Sequence, residues 1–168
     1  MKSLGSYEYV LDATAFYLGL SFLSFTKSYT TSLVFDEVRH LKSSYSLLET
    51  LVETRNLIII NPDEEYVSRV LAVATKSGDT ARLSKSDISV LALAYQLKKP
   101  LISDDFSVEN IARLLSISII PLRTIGIKYT RKWISYCRTC GKGYGTNTTE
   151  CLICGNKLKR RFKRIAPI

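Results

Sequence analysis

The sequence predicts an α/β fold in which a mainly parallel sheet, flanked by helices, is followed by a small module built on four cysteines. Three observations predict it. Short β-prone runs alternate with helical runs as far as residue 120, the pattern of strands joined by crossover helices. After Pro121 the composition turns sharply basic. All 4 cysteines of the 168-residue chain fall inside that basic region, as two C-x-x-C pairs.

Tyr7-Glu8-Tyr9-Val10-Leu11 is β-prone and stops at Asp12-Ala13-Thr14, after which Ala15 to Leu18 reads as helix. A short β-prone piece, Tyr29 to Thr31, precedes a helix start at Leu33 to Arg39. Ser43 to Thr54 continues as an amphipathic helix with Leu47, Leu48 and Leu51 on one face. Leu57 to Ile60 is a compact, β-branched run ended by Asn61-Pro62-Asp63, so it reads as a buried strand. A helix from about Glu64 to Lys76 ends at Ser77-Gly78-Asp79, and another runs from Ser84 through Leu97. Leu101-Ile102-Ser103 is strand-like, Asp104-Asp105 breaks it, a helix follows through Leu115, and Ile117 to Ile120 is the last strand. The expected divisions are 1–122 for the α/β domain, 123–136 for a basic linker with Tyr129, Trp133 and Tyr136 interleaved, and 137–168 for the cysteine module with a basic tail.

A composition of 46% hydrophobic and 23% charged residues suits one core of ordinary size. No apolar run reaches the length of a membrane span and the N-terminus lacks the character of a signal peptide, so a cytoplasmic protein with no membrane partner is expected. The net charge of +9 is unevenly placed. Residues 1–122 hold 12 Lys/Arg against 14 Asp/Glu, whereas residues 123–168 hold 12 against the single Glu150. The second part is therefore the polyanion-seeking one, and its affinity should fall with salt as condensed counterions are released.

Cys137-x-x-Cys140 and Cys151-x-x-Cys154 are separated by ten residues. Two residues between thiolates let one turn present both sulfurs to a tetrahedral Zn²⁺, and Gly141 and Gly155 suit the tight knuckle after each second ligand. Two disulfides are the competing reading, which intracellular reducing conditions disfavour. Four cysteine ligands close the coordination sphere, so this zinc is structural and chemistry must come from elsewhere.

Asp12, Glu37, Asp87 and the pair Asp104-Asp105 each follow a strand or open a helix. In a parallel α/β sheet those positions converge at the carboxyl ends of the strands, where ligands bind. Gathered carboxylates repel unless divalent cations neutralise them, and oxygen-only ligation favours Mg²⁺ or Mn²⁺. Each acid also has an ordinary explanation as a helix cap: Ser84-x-x-Asp87 has the form of a capping box, and Asp12 that of an N-cap.

The stretches Leu11 to Phe16, Phe35 to Arg39, Leu83 to Ala94 and Leu101 to Ala112 resemble, in that order, the acidic motifs of PIN-domain nucleases. With the four-cysteine module behind them, nearly the whole chain resembles the Nob family of archaeal and eukaryotic ribosome-assembly endonucleases, which trim the 3′ end of small-subunit rRNA. The resemblance implies a PIN-like fold followed by a zinc ribbon, and an endoribonuclease leaving 5′-phosphate and 3′-hydroxyl ends on single-stranded RNA. It implies that Asp12, Glu37 and Asp87 bind the catalytic Mg²⁺ or Mn²⁺, with Asp105 preferred as fourth ligand, Asp104 assisting, and Thr14 supporting Asp12. Implied partners are a small-subunit (16S) rRNA precursor and the pre-ribosomal particle. Ser103 stands where threonine is frequent, and the region between Glu37 and Asp87 is short.

Two rivals remain: a toxin-type PIN ribonuclease acting on tRNA or mRNA, and a non-catalytic RNA-binding scaffold. The second would be expected to have lost at least one carboxylate. His40, the single histidine, reads as a surface residue because a metal-activated water needs no imidazole base, and Asp36 should face away from Glu37's direction on the helix.

Overall fold

The computed structural model describes residues 8–19, 27–39, 45–123 and 129–167. Tyr7, His40, Ser43 and residues 124–128 of the expected linker lie outside the described residues.

The elements follow the predicted alternation. β1 (Tyr9–Leu11) leads into α1 (Ala13–Tyr17), and β2 (Ser28–Thr30) into α2 (Ser32–Val38). Next come α3 (Tyr45–Glu53), β3 (Leu57–Ile59), α4 (Glu64–Ser77), a 3-10 turn over Thr80–Arg82, and α5 (Lys85–Leu97). β4 (Leu101–Ile102), α6 (Phe106–Leu114) and β5 (Ile119–Ile120) complete the larger domain. The five strands form one sheet in the order β3-β2-β1-β4-β5, and every described neighbour pair is parallel. β4 stops before Ser103, whose hydroxyl turns to Asp12 at the end of the neighbouring β1.

The core lies between sheet and helices. Val10, Val34, Val38, Val70, Val90, Leu91, Leu93, Leu101, Val108 and Ile111 are fully buried, and each such side chain contributes about 1.5–3 kcal/mol relative to exposure. α4 and α5 pack as an antiparallel pair. At one end the backbone N–H of Asp63 bonds Gln96 Oε1 (3.0 Å) and the Gln96 amide returns a bond to Asp63 Oδ2 (2.7 Å). At the other end Gly78, with φ 81°, caps α4 and the 3-10 turn leads into Ser84 and α5.

The basic region folds differently from the expectation of a linker and a tail. Residues 129–136 form β6 (Tyr129–Tyr136), which pairs antiparallel with β7 (Gly143–Tyr144) and with β8 (Lys159–Pro167). The reason is a period-two alternation in β6, with Arg131, Trp133 and Ser135 on one face and Lys132, Ile134 and Tyr136 on the other, which the density of positive charge disguises. The first face docks against the larger domain. Asn110 of α6 accepts from the backbone N–H of Arg131 (2.8 Å) and donates to its carbonyl (3.0 Å), as a missing sheet neighbour would. The same amide bonds Asp79 Oδ2 (2.8 Å), which also accepts from Ser77 (2.8 Å). Arg160 donates to the carbonyl of Gly78, and Arg82 and Arg160 both lie over the Trp133 ring, at 4.3 and 4.6 Å from its centroid.

Candidate active site and cysteine centre

Asp12 ends β1 and caps α1, its Oδ1 accepting from the backbone N–H of Ala13 (2.7 Å). Its Oδ2 accepts from Ser103 (2.6 Å) at the end of β4 and from Thr14 (3.2 Å) in α1, so hydroxyls from a neighbouring strand end and from the following helix hold one carboxylate. The residue is 3% exposed. Burial raises its pKa from the ordinary 3.8 to about 6, against the lowering pull of those hydrogen bonds, and the charge of Asp87 adds to the rise.

Asp87 sits in the first turn of α5 and completes the capping box foreseen in the sequence: Ser84 N–H donates to Asp87 Oδ2 (2.7 Å) and Asp87 N–H to Ser84 Oγ (3.1 Å). Burial raises this carboxyl too; the Ser84 bonds lower it, and the charges of Asp105 and Glu37 push it up. Glu37, exposed on the last turn of α2, accepts from Ser86 (2.9 Å). The hydroxyls of Thr31 and Ser89, 2.7 Å apart, pin the start of α2 to α5 and so set Glu37 beside Asp87. Asp105 caps α6 with Oδ1, which accepts from the N–H groups of Ser107 (2.5 Å) and Val108 (3.1 Å).

Asp12, Glu37 and Asp105 thus each lie within electrostatic reach of Asp87, at the end of the sheet where β1 and β4 finish. Asp104 is directed elsewhere. Its carboxylate accepts from the backbone N–H groups of Leu122 (2.7 Å) and Arg123 (3.0 Å), fixing the point at which the chain leaves β5. Asp36 is exposed and paired with Arg39 at 3.2 Å, apart from the cluster. Sequence reasoning gave no role to Ser86, which holds Glu37, or to Tyr17, whose pKa is raised by burial and then by the charges of Glu37 and Asp12. The signal for Tyr17 was helical spacing, since it lies one turn beyond Thr14 on α1.

The cysteines form a tighter group. Among the described residues they are the one set of three or more metal-binding side chains whose ligand atoms all lie within 4.8 Å of one another. Cys137 Sγ is 3.5 Å from Cys154 Sγ, and Cys140 Sγ is 3.4 Å from Cys151 Sγ. A tetrahedron with Zn–S bonds of about 2.3 Å has edges of about 3.8 Å, so the four sulfurs fit that ion. Both knuckles repeat one geometry: Gly141 and Gly155 have φ of 72° and 67°, and their N–H groups bond the carbonyls of Cys137 (3.0 Å) and Cys151 (2.8 Å). The Tyr144 hydroxyl, 3.1 Å from Cys151 Sγ, lowers that thiol to about 6, which favours the thiolate a metal requires.

The fold and these two centres define an α/β nuclease domain with an acidic site, joined to a four-cysteine ribbon. A family model described as the PIN domain of ribonuclease matches residues 9–97. The endoribonuclease Nob1 of Pyrococcus abyssi (strain GE5 / Orsay) is 37% identical over 152 residues, spanning 89% of this chain and 91% of that protein. Ribonuclease VapC1 of Thermoplasma acidophilum is 31% identical over 157 residues, spanning 93% and 79%. The 20S-pre-rRNA D-site endonuclease NOB1 of Saccharomyces cerevisiae is 32% identical over 78 residues, spanning 46% of this chain and 17% of that protein. The chain belongs to the Nob family of PIN-domain endoribonucleases. RNA is accordingly its partner, and among the described residues no helix is long and apolar enough to cross a membrane.

Proposed function

We propose that this endoribonuclease is divalent-metal-dependent and cuts single-stranded precursor RNA to mature the 3′ end of small-subunit (16S) rRNA. Asp12, Glu37, Asp87 and Asp105 hold the Mg²⁺ or Mn²⁺, and the four cysteines hold Zn²⁺. The observation that carries this reading is the burial of Asp12 beside Asp87, with both carboxyls raised and neither in an ion pair among the described residues. Such an arrangement stores repulsion that a cation relieves.

The residues fit a hard cation. Hydrogen bonds to Asp87 fall on Oδ2 and those to Asp105 on Oδ1, leaving the second oxygen of each to a ligand. When bound, such an ion lowers the pKa of a water and stabilises charge on a phosphodiester. Ser103 and Thr14 orient Asp12, Ser86 orients Glu37, and the capping box fixes Asp87, so the protein's share is a preformed anionic cradle. Residues 1–122 constitute the nuclease unit; the basic remainder draws RNA toward a site that repels it. The precursor in the pre-ribosomal particle is the natural substrate and the cytoplasm its place.

The test is incubation of the purified chain with Mn²⁺ and an RNA spanning the 3′ end of the small-subunit rRNA, with the cut mapped by primer extension. One position cut by the wild type and untouched by Asp12→Asn is expected; equal cutting by both overturns the assignment. The similarity to ribonuclease VapC1 favours a second reading, a toxin-type enzyme, which predicts instead that a tRNA panel is cut in preference to the rRNA fragment.

A further inference from the structure

Where the ribbon meets the end of α4, the two domains enclose a cleft of about 500 Å³ whose lining includes Lys76 of α4, Lys132 and Trp133 of β6, Tyr144 of β7, Thr146 and Lys163 of β8. No aspartate or glutamate lines it. Lys76, Lys132 and Lys163 are all exposed, and none makes an ion pair among the described residues. Lys132 and Lys163 are direct cross-strand partners, as are Arg131 and Arg164 beside them. Like charges placed opposite each other weaken an antiparallel pair. The Lys132–Lys163 pair therefore costs the ribbon stability that an anion on that face restores.

We infer that this inter-domain cleft is a nucleotide-binding subsite for single-stranded RNA, in which Lys76, Lys132 and Lys163 hold the phosphate of one nucleotide while its base lies against the ring of Tyr144, beside Trp133, whose own ring is already covered by Arg82 and Arg160. The inference rests on the endoribonuclease reading for its choice of polyanion, and it adds the place where the strand is held. Ammonium groups and aromatic rings without competing acids are the chemistry that binds single strands with little sequence preference. An acidic protein segment would use the lysines but leave the Tyr144 ring without a purpose.

The position suits the reaction. α4 and α5 are antiparallel, and the link from Gly78 to Ser84 joins the end of α4 to the start of α5, three residues before Asp87. The cleft consequently lies toward the same end of the domain as the carboxylates, and Arg82, in that link, is stacked on Trp133. A chain held at the cleft presents neighbouring phosphates toward the acidic site.

Trp133 is the only tryptophan, so its fluorescence reports on this site alone. The experiment titrates the full-length zinc-loaded chain, without added Mg²⁺ or Mn²⁺, with a fluorescein-labelled twelve-nucleotide RNA, following label anisotropy and, with unlabelled RNA, tryptophan emission. The expected result is saturable binding that shifts the emission. Lys76→Ala/Lys132→Ala/Lys163→Ala should weaken affinity by roughly tenfold or more near 0.15 M salt and flatten the salt dependence, each phosphate contact on a single strand contributing about 0.7 to the logarithmic slope. A control pair at a separate cavity, Arg69→Ala/Lys98→Ala, should change affinity less than twofold. RNA binding with unmoved tryptophan emission, or equal losses in both variants, overturns the subsite. So does polyglutamate binding where RNA does not. Cleavage with Mn²⁺ is scored separately: a chain that cuts RNA but ignores the three lysines loses the cleft alone, and one that binds through them but never cuts loses the nuclease reading alone.

Discussion

The Asp12 carboxylate is where the fold gives up stability. Its pKa of about 6 lies above the 3.8 expected when unfolded, so the native state prefers the protonated acid. Its contribution is full below the unfolded value and is lost as pH rises through about 4 to 6. The difference corresponds to about 3 kcal/mol. Without divalent ions, urea unfolding should therefore show the wild type losing about 3 kcal/mol more than Asp12→Asn between pH 4 and pH 7.5. Parallel curves for the two proteins would contradict the burial argument. Mn²⁺ should remove the difference at pH 7.5, because a cation replaces the proton. The neighbouring acids Asp104 and Asp105 separate by what they touch. Asp105→Asn should lower kcat by about a hundredfold or more with the folding midpoint little changed. Asp104→Ala leaves the N–H groups of Leu122 and Arg123 without their carboxylate; it should cost about 1–3 kcal/mol of stability and spare kcat at saturating RNA. A reversal of those two phenotypes would exchange the roles. The resemblance to the family's Thr/Ser-x-Asp form prefers Asp105, and these two variants test that preference. What it could not carry was the reason, since the partner of Asp104 lies 18 residues away across β5.

Alternating strands and helices were legible in the sequence because burial imposes period 2 or 3.6 on apolar residues, and the capping box at Ser84 because four positions suffice to write it. The β6–β8 hairpin was not legible. Its strands are basic, and charge is read as solvation when the partner that buries one face is unknown. Nor was the joint between the domains: Asn110 and Asp79 are ordinary polar residues until β6 lies beside them, when they become 3% and 2% exposed. Gly78 concentrates that joint in one residue. Its φ of 81° is a left-handed cap of α4, and a Cβ placed there would meet Thr146 Cγ2 at 2.6 Å and Trp133 Cβ at 3.0 Å. Gly78→Ala should cost about 1–2 kcal/mol from the backbone alone, and more as the ribbon is pushed off α4. Adding Thr146→Ala removes the closest of these contacts, so the double variant should recover part of the loss in denaturant unfolding. No recovery would mean that the backbone strain is the whole effect and the domains are not pressed together at this point.

At the scale of the molecule, the four cysteines sit where the two long strands of the basic ribbon are joined, and the Zn²⁺ proposed there would fix the relation of those strands. Cys137 and Cys140 follow β6 directly, Cys151 and Cys154 precede β8, and the knuckles close the chain between the two long strands. Released from metal, that segment becomes a flexible loop of about twenty residues, whose closure entropy the like-charged β6–β8 pair must then bear unaided. Chelation should therefore loosen the ribbon first and leave the five-stranded sheet, whose core contains no cysteine, cooperatively folded. Amide exchange checks this: protection should fall across Arg131 to Tyr136 and Lys159 to Arg164 while Val10, Leu91 and Leu101 keep theirs. Cleavage of a short RNA at saturating concentration should persist with added Mn²⁺, because none of the four carboxylates lies in the ribbon, whereas KM should rise at least tenfold as the basic face loses its geometry. If KM is unchanged after zinc is removed, the ribbon does not hold the substrate, and the charge asymmetry between the two halves of the chain needs another explanation.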